Sequence, residues 1–126
     1  MARFSFPKQA RIRYERDFRR VYRRGRRLEA YPLRLCALQR EEGGSRLGMA
    51  ISRKVGGSVV RARWRRAIRE AFRLNRHVLR APYDLVVSVA WEARPEEASC
   101  VQEAFLRLVD QLNGSGPSRR PADAGP

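Results

Sequence analysis

Hydrophobic and polar positions along the chain change their period several times, and each period predicts an element. From about Glu15 to Arg24, apolar side chains recur three or four positions apart, and Gly25 follows. This spacing predicts a short helix that ends at the glycine. The apolar positions of this helix and its start are Tyr14, Phe18, Val21 and Tyr22.

Two alternating runs come next and predict strands. In the first, Leu33, Leu35 and Ala37 alternate with Arg34, Cys36 and Leu38, and in the second, Leu47, Met49 and Ile51 alternate with Gly48, Ala50 and Ser52. The segment between the runs, Glu-Glu-Gly-Gly-Ser at 41–45, has the composition of a turn. Two consecutive strands across a short turn are expected to pair as a hairpin.

The second half of the chain predicts a helix, a strand and a final helix. A long helix is expected from Ser58, a natural N-cap, to about Arg80, because Pro82 limits it. A continuous apolar run within residues 83–91 predicts a central, buried strand. The final helix opens at Pro95, and two acids occupy its first turn, as the helix dipole favours. Its core stripe consists of Val101, Phe105, Leu108, Val109 and Leu112.

The order of these elements, α-β-β-α-β-α, predicts an α+β fold in which helices pack on a small mixed sheet. A chain of 126 residues suits one domain, predicted to span residues 1–113. The remaining segment, GSGPSRRPADAGP at 114–126, has no apolar anchor and is predicted to be a disordered tail.

The long helix has two chemically different sides when it is wound at about 100° per residue. The apolar side, which would dock on the sheet, consists of Val60, Trp64, Ala67, Ile68, Ala71, Val78 and Leu79. The opposite side is cationic and consists of Arg65, Arg66, Arg69, Arg73, Arg76 and Arg80, with Arg61 and Arg63 flanking both sides in the first turn. Like charges four positions apart repel, so this pattern favours a polyanionic partner over an ordinary solvated surface.

The charge of the whole chain supports the same partner. The formal net charge is +15, and the 28 basic residues comprise 26 Arg and 2 Lys. Residues 1–80 hold 24 basic and 6 acidic side chains, whereas residues 81–126 hold 4 and 7. Such a distribution attracts nucleic acid first and an anionic membrane second. Arginine suits bidentate contact with phosphate, and GC-rich coding or heat adaptation are other reasons for its excess over lysine.

Location and catalytic chemistry are constrained mainly by what the sequence lacks. No stretch approaches the ~20 apolar residues of a spanning helix, and residues 1–10 have no apolar signal-peptide core, so a cytoplasmic protein without a membrane partner is expected. Cys36 and Cys100 are predicted to be reduced core residues, and the single histidine, His77, is predicted to lie on the surface. The acids are too scattered for a metal-binding carboxylate cluster, so no catalytic residue is predicted.

The stretch RLGMAISRKVGGSVVRARWRRAIREAFR at 46–73 resembles the signature of the bacterial ribonuclease P protein subunit. The residues in register with that signature are Arg46, Gly48, Ser52, Lys54, Gly56, Arg61, Arg63, Arg66, Arg69 and Glu70. The N-terminal segment also resembles the family through Phe6, Lys8, Arg11, Phe18, Val21, Tyr22 and Gly25, as does YDLVVSVAW at 83–91. Two positions depart from the family pattern: Ala62 replaces the usual Asn, and Arg65 replaces the usual Lys.

This resemblance implies an accessory subunit of an endoribonuclease, with a left-handed βαβ crossover in its fold. The protein would bind a catalytic RNA and the 5′ leader of precursor tRNA, while the RNA and its Mg²⁺ ions remove the leader. The protein itself would bind no metal or cofactor tightly and no small-molecule substrate. The implied RNA contacts are Lys54, Arg61, Arg63, Arg65, Arg66, Arg69 and Arg73. Phe18 and Tyr22 would line a leader cleft, with a core role as the other interpretation.

Two further classes of protein fit the residues taken alone. A structural RNA-binding protein, such as a ribosomal protein of similar fold, has the same kind of composition. A basic DNA-binding module is also compatible with the charge, although no helix carries base-reading side chains distinct from the arginine side.

Overall fold

The last strand along the described chain occupies the centre of the sheet. The computed structural model describes residues 8–115. Its helices are α1 (Glu15–Arg24), α2 (Ser58–Asn75) and α3 (Val101–Asp110), and its strands are β1 (Arg26–Ala30), β2 (Leu33–Gln39), β3 (Arg46–Met49) and β4 (Tyr83–Val89). The strands form one sheet in the order β1-β2-β4-β3. The α+β class predicted from the sequence is confirmed.

Strand directions in this sheet are mixed. β1 and β2 are antiparallel, β2 and β4 are antiparallel, and β3 runs parallel to β4. The connection from β3 through α2 to β4 is therefore a βαβ crossover, and its left-handed sense stays a prediction of the family resemblance.

The predicted hairpin between the strands now labelled β2 and β3 is wrong, because β4 lies between them. Most residues of β4 are buried, and a strand with apolar side chains on both faces is best covered at the centre of a sheet. β2 forms its hairpin with β1 instead. β1 was not predicted, because Arg27 and Glu29 are exposed and Leu28 is only half-buried, which leaves a weak periodic signal.

The two faces of the sheet are covered unequally. On one face, Leu35 and Val87 belong to the main core together with Trp64 of α2 and Phe105 of α3. On the other face, α1 packs over a smaller apolar cluster of Ile12, Val21, Cys36 and Val86. The sheet therefore separates α1 from α2 and α3.

The two-sided character predicted for α2 is confirmed. Trp64, Ile68 and Phe72 have 0% exposure, and the Phe72 and Phe105 rings meet edge to face with centroids 6.5 Å apart. The helix differs from the prediction at both ends. Gly57 is the N-cap without a side-chain hydrogen bond, Ser58 is the first helical residue, and α2 ends at Asn75 before a 3₁₀ turn at Arg76–Val78.

Helix α1 has the predicted bounds, and Gly25 explains its end. A Cβ atom at Gly25 would lie 2.5 Å from the Val21 carbonyl oxygen and 2.9 Å from the Ala37 carbonyl oxygen. Only glycine allows the chain to pass this close to β2 as it turns from α1 into β1.

Smaller predictions have mixed outcomes. Cys36 is buried as expected, but Cys100 is exposed, because it lies at the end of the 3₁₀ segment Pro95–Cys100 that precedes α3. Both cysteines are free, and His77 is exposed as predicted. Of the predicted tail, residues 116–126 lie outside the described residues. Gly114, with φ 95°, belongs to a turn at Gln111–Ser115 that follows α3. The domain boundary at residue 113 stays a prediction.

Candidate nucleic-acid interface

The side of α2 that faces away from the core carries six of the eight predicted arginines, whereas Arg76 and Arg80 lie beyond the end of the helix at Asn75. Arg63 and Arg66 are exposed, and Arg61, Arg65, Arg69 and Arg73 are half-buried. At 1.5 Å per residue, the distance from Arg61 to Arg73 along the helix axis is about 18 Å. The arginines therefore form one continuous cationic strip, which we call the arginine strip and define by these six residues.

Two members of the arginine strip have partners within the protein. The Arg61 guanidinium donates from Nε to the Gly56 carbonyl oxygen at 3.1 Å, and Arg73 forms an ion pair with Glu70. The hydrogen bond from Arg73 holds the pKa of Glu70 below its usual value, so this carboxylate is charged at neutral pH. Among the described residues, Arg63, Arg65, Arg66 and Arg69 form no ion pair, so the guanidinium groups of these four are not neutralised within the protein.

The N-terminal end of α2 is open to an anion. At Gly56, a Cβ atom would lie 2.7 Å from the Val60 side chain, whereas a Cβ atom at Gly57 would meet nothing within 4 Å. Gly57 provides no side-chain cap, so the first-turn N–H groups of α2 remain available. Ala62, at the position where the family has Asn, is exposed here and offers no hydrogen-bonding group.

Lys54 has two contacts that fix its position. Its backbone N–H donates to Ser52 Oγ at 3.0 Å, and its ammonium lies 4.0 Å from the centroid of the Trp91 ring. Trp91 is 54% exposed, so the pair forms a cation–π contact at the surface. Sequence reasoning identified Lys54 but missed Trp91, since the two are far apart in the chain.

Phe18 and Tyr22 border the other face of the sheet, one helical turn apart on α1. Phe18 is half-buried, and its ring lies against β3 at Gly48, where a Cβ atom would come 2.7 Å from Phe18 Cζ. Tyr22 is 39% exposed. The core interpretation therefore applies in part to Phe18, while Tyr22 offers its ring to solvent.

Beside Tyr22, a groove of about 440 Å³ opens between α1 and the uncovered part of the sheet. Cys36 and Val86 lie among its lining residues, as do Arg27 and Arg34. Arg27 Nη1 donates to Cys36 Sγ at 3.5 Å, and Arg34 pairs with Glu29 at 3.1 Å. Sequence alternation already placed Cys36 and Arg34 on one face of a strand. What the sequence did not show is that α1 covers only part of that face and leaves the groove open.

The groove has neutral titratable groups beside its cationic side chains. Burial raises the pKa of the Tyr22 phenol, with the Cys36 thiol adding to the increase and Arg27 opposing it. Burial likewise raises the pKa of the Cys36 thiol, against the effect of Arg27. Both groups are therefore uncharged at neutral pH, so the positive charge in the groove comes from its arginines.

Metal-binding and membrane-spanning features are absent from residues 8–115. These residues contain no group of three or more His, Cys, Asp or Glu side chains arranged to hold a metal ion. Nor does this part of the chain contain a helix that is long and apolar enough to cross a membrane.

A cationic helix on one face of a mixed sheet, with an aromatic-edged groove on the other, defines a class of small α+β proteins with two surfaces suited to polyanions. The comparisons with known proteins specify the family. The Ribonuclease P family model matches residues 6–113. The "Ribonuclease P protein component" of Desulfovibrio desulfuricans is 43% identical over 123 residues, which cover 91% of this chain and 95% of that protein.

Solved structures agree with the sequence match. The ribonuclease P protein from Thermotoga maritima superimposes with a TM-score of 0.73 at 29% identity, over 82% of this chain and 98% of that one. The protein from Staphylococcus aureus gives a TM-score of 0.72 at 25% identity, over 81% and 94%. The chain belongs to the ribonuclease P protein family, whose members associate with ribonuclease P RNA. The family match therefore favours this assignment over the ribosomal-protein and DNA-binding alternatives.

Proposed function

We propose that this subunit holds two RNA ligands at once, the catalytic RNA of ribonuclease P and the 5′ leader of precursor tRNA. The observation that carries the proposal is the placement of two surfaces across one sheet. The arginine strip belongs to α2, which packs on one face, and the groove beside Tyr22 opens on the other. A ligand on either surface therefore leaves the other surface accessible.

The arginine strip supports binding to the folded catalytic RNA. A rigid row of guanidinium groups can follow a phosphate backbone without reading its sequence. Lys54 and the open N-terminal turn of α2 extend this positive surface beyond Arg61.

The groove supports binding to a single-stranded leader. Stacking on aromatic rings tolerates any base, because every base has a π-face. Tyr22 is the exposed ring, and Arg27 and Arg34 among the lining residues would supply positive charge for the phosphates of a bound strand. A sequence-tolerant groove suits leaders that differ from one tRNA precursor to another.

The chemical step in this proposal belongs to the RNA subunit and its Mg²⁺ ions. The protein contributes no catalytic residue and no metal ligand set of its own, and it acts on phosphodiester hydrolysis through binding and orientation. The complex would work in the cytoplasm, without a membrane or a small-molecule substrate.

Reconstitution tests the proposal. The protein is mixed with a bacterial ribonuclease P RNA and precursor tRNA at low Mg²⁺, and the rate of 5′ leader removal is measured. We expect faster cleavage with the protein than without it, and a smaller gain with the R65A/R66A/R69A variant. No acceleration at any Mg²⁺ concentration, from protein shown to be folded, would reject the proposed function.

A further inference from the structure

Helix α1 is anchored to the sheet by unusually few buried side chains. Of its ten residues, the buried ones are Asp17 and Val21, which lie one helical turn apart. Val21 packs in the small apolar cluster with Cys36 and Val86. One of the two buried side chains of this helix is therefore a carboxylate, whose burial requires partners.

Asp17 belongs to an ion cluster at the contact between α1 and the sheet. Arg46 of β3 donates from Nε and Nη2 to the two oxygens of Asp84 of β4, at 2.7 and 2.8 Å. The third guanidinium nitrogen of Arg46, Nη1, lies 3.9 Å from Asp17 Oδ2. Asp84 and Asp17 are 3% and 6% exposed, so the guanidinium of Arg46 bridges two buried carboxylates.

Two more arginines complete the cluster. Arg20 Nη1 lies 3.3 Å from Asp17 Oδ1, and Arg40 Nε lies 3.6 Å from Asp84 Oδ1. The cluster thus joins α1, β3, β4 and the segment after β2. Because Arg46 is fixed by two hydrogen bonds to the central strand, its third nitrogen provides a rigid reference point for α1.

Asp17 and Val21 together determine how α1 is rotated about its own axis. Val21 and the half-buried Phe18 pack on the small apolar cluster, and apolar contacts are non-directional, so by themselves they define the rotation of the helix only weakly. The ion pair between Asp17 and Arg46, one turn before Val21, adds a charged contact to the sheet that limits this freedom. The Phe18 ring then falls on Gly48, and Tyr22 falls at the edge of the groove.

We propose that the buried Asp17–Arg46 ion pair is a positioning device that fixes the rotation of α1 and thereby places Phe18 and Tyr22 for binding the leader. Neither Asp17 nor Arg46 contacts the leader in this proposal; both act through the position of the two rings. The inference rests on the proposed leader-binding function, so its test measures the position of α1 separately from the binding of tRNA.

Asp17→Asn is the principal variant, and Glu15→Gln is its matched control. Both substitutions remove one negative charge from the first turn of α1. Glu15, however, is exposed, and its ion pair is with Arg19 of the same helix and not with the sheet. Asp17→Glu keeps the carboxylate and should restore function. Arg46→Lys keeps the charge beside Asp84 but cannot serve Asp17 as well, so it provides a second test if Asp17→Asn fails to fold.

The position of α1 is read from the reactivity of Cys36, which is buried in the cluster with Val21. Cys100 is exposed and is first replaced by serine, so that a thiol reagent reports Cys36 alone. We expect Asp17→Asn and Arg46→Lys to speed Cys36 modification several-fold, with Glu15→Gln and Asp17→Glu unchanged.

Leader binding is read from the reconstituted holoenzyme as the ratio of dissociation constants for precursor and mature tRNA. We expect Asp17→Asn to reduce this preference by about tenfold, equivalent to ~1.4 kcal/mol. Affinity for the catalytic RNA should hold, because α2 packs on the other face of the sheet.

The two failures are distinguishable. Unchanged Cys36 protection in folded Asp17→Asn and Arg46→Lys, relative to Glu15→Gln, would overturn the positioning inference. Faster Cys36 modification with an unchanged preference for precursor tRNA would instead show that α1 has moved without affecting the leader. That result would overturn leader binding at α1 and therefore also the positioning role proposed for Asp17 and Arg46.

Discussion

Removing three charges from the arginine strip should flatten the salt dependence of binding to ribonuclease P RNA. The variant is R65A/R66A/R69A, chosen because these arginines form no ion pair within residues 8–115, whereas Arg73 pairs with Glu70. Each phosphate neutralised contributes roughly 0.7–0.9 to the slope of log K against log salt, so losing three contacts should lower the slope by about two units. Between 50 and 200 mM salt, this is about a sixteenfold change in relative affinity.

The assay is a filter-binding or fluorescence titration of the catalytic RNA at four or more salt concentrations. The control triple variant, R19A/R94A/R107A, removes the same net charge from exposed arginines outside α2, each of which has an acidic partner. Its slope should stay close to that of the unmodified protein. Equal slope changes in the two triple variants would mean that overall charge, and not the strip, drives binding. An unchanged slope in folded R65A/R66A/R69A would mean that the strip is only a solvated surface.

Four further predictions test other parts of the structure. Tyr22→Ala should weaken precursor tRNA binding by the holoenzyme about tenfold, since stacking is worth ~1–3 kcal/mol per base, and should spare mature tRNA; equal losses for both ligands would contradict the groove. Phe18→Ala, at a half-buried ring against Gly48, should lower the free energy of unfolding by about 2 kcal/mol in urea denaturation, and an unchanged midpoint would show that the ring is not packed. Iodide should quench the emission of exposed Trp91 and spare fully buried Trp64. If Lys54 contacts the catalytic RNA, bound RNA should shield the neighbouring Trp91 ring from iodide, and an unchanged quenching of Trp91 would remove Lys54 from the interface. The protein freed of RNA should not cleave precursor tRNA at any Mg²⁺ concentration, because residues 8–115 hold no carboxylate cluster for metals; metal-dependent cleavage would refute the accessory role.

Local periodicity predicted the existence and the faces of the helices, but not the end of α2 at Asn75 or the start of α3 at Val101, which follows a 3₁₀ segment from the predicted start at Pro95. The apolar spacing around Phe18 predicted the bounds of α1, and the apolar and cationic sides of α2 lie where the helical period placed them. These features depend on residues three or four positions apart, which the sequence displays directly. The core stripe of α3 was predicted for the same reason.

Strand pairing could not be predicted in the same way, since it depends on residues far apart in the chain. The turn at 41–45 was recognised from its composition, but β4 inserts between the strands that flank it. In the structure, the buried Ser45 hydroxyl accepts a hydrogen bond from the Tyr83 N–H at 3.0 Å, so the end of this turn is held against the start of β4. Nothing in the residues next to Ser45 indicates this contact.

The candidate site shows the same division. The arginine strip lies on one helix and was predicted residue by residue. The ion cluster beneath α1 contains Asp17, Arg46 and Asp84, which belong to three different elements. The Lys54–Trp91 contact joins one residue that precedes α2 in the chain to one that follows it. No spacing rule brings such residues together before the topology is known.

The central position of β4 also determines when the protein can assemble during synthesis. The ribosome delivers α1, the β1–β2 hairpin, β3 and α2 before it reaches Tyr83. Until then, β3 has no neighbouring strand, and Trp64 of α2 lacks core partners such as Val87 and Phe105. The arginines of α2 need no later residue to attract RNA. The segment that completes the sheet also brings the acidic excess, 7 acids against 4 bases in residues 81–126, so the nascent chain acquires its core and loses part of its charge together.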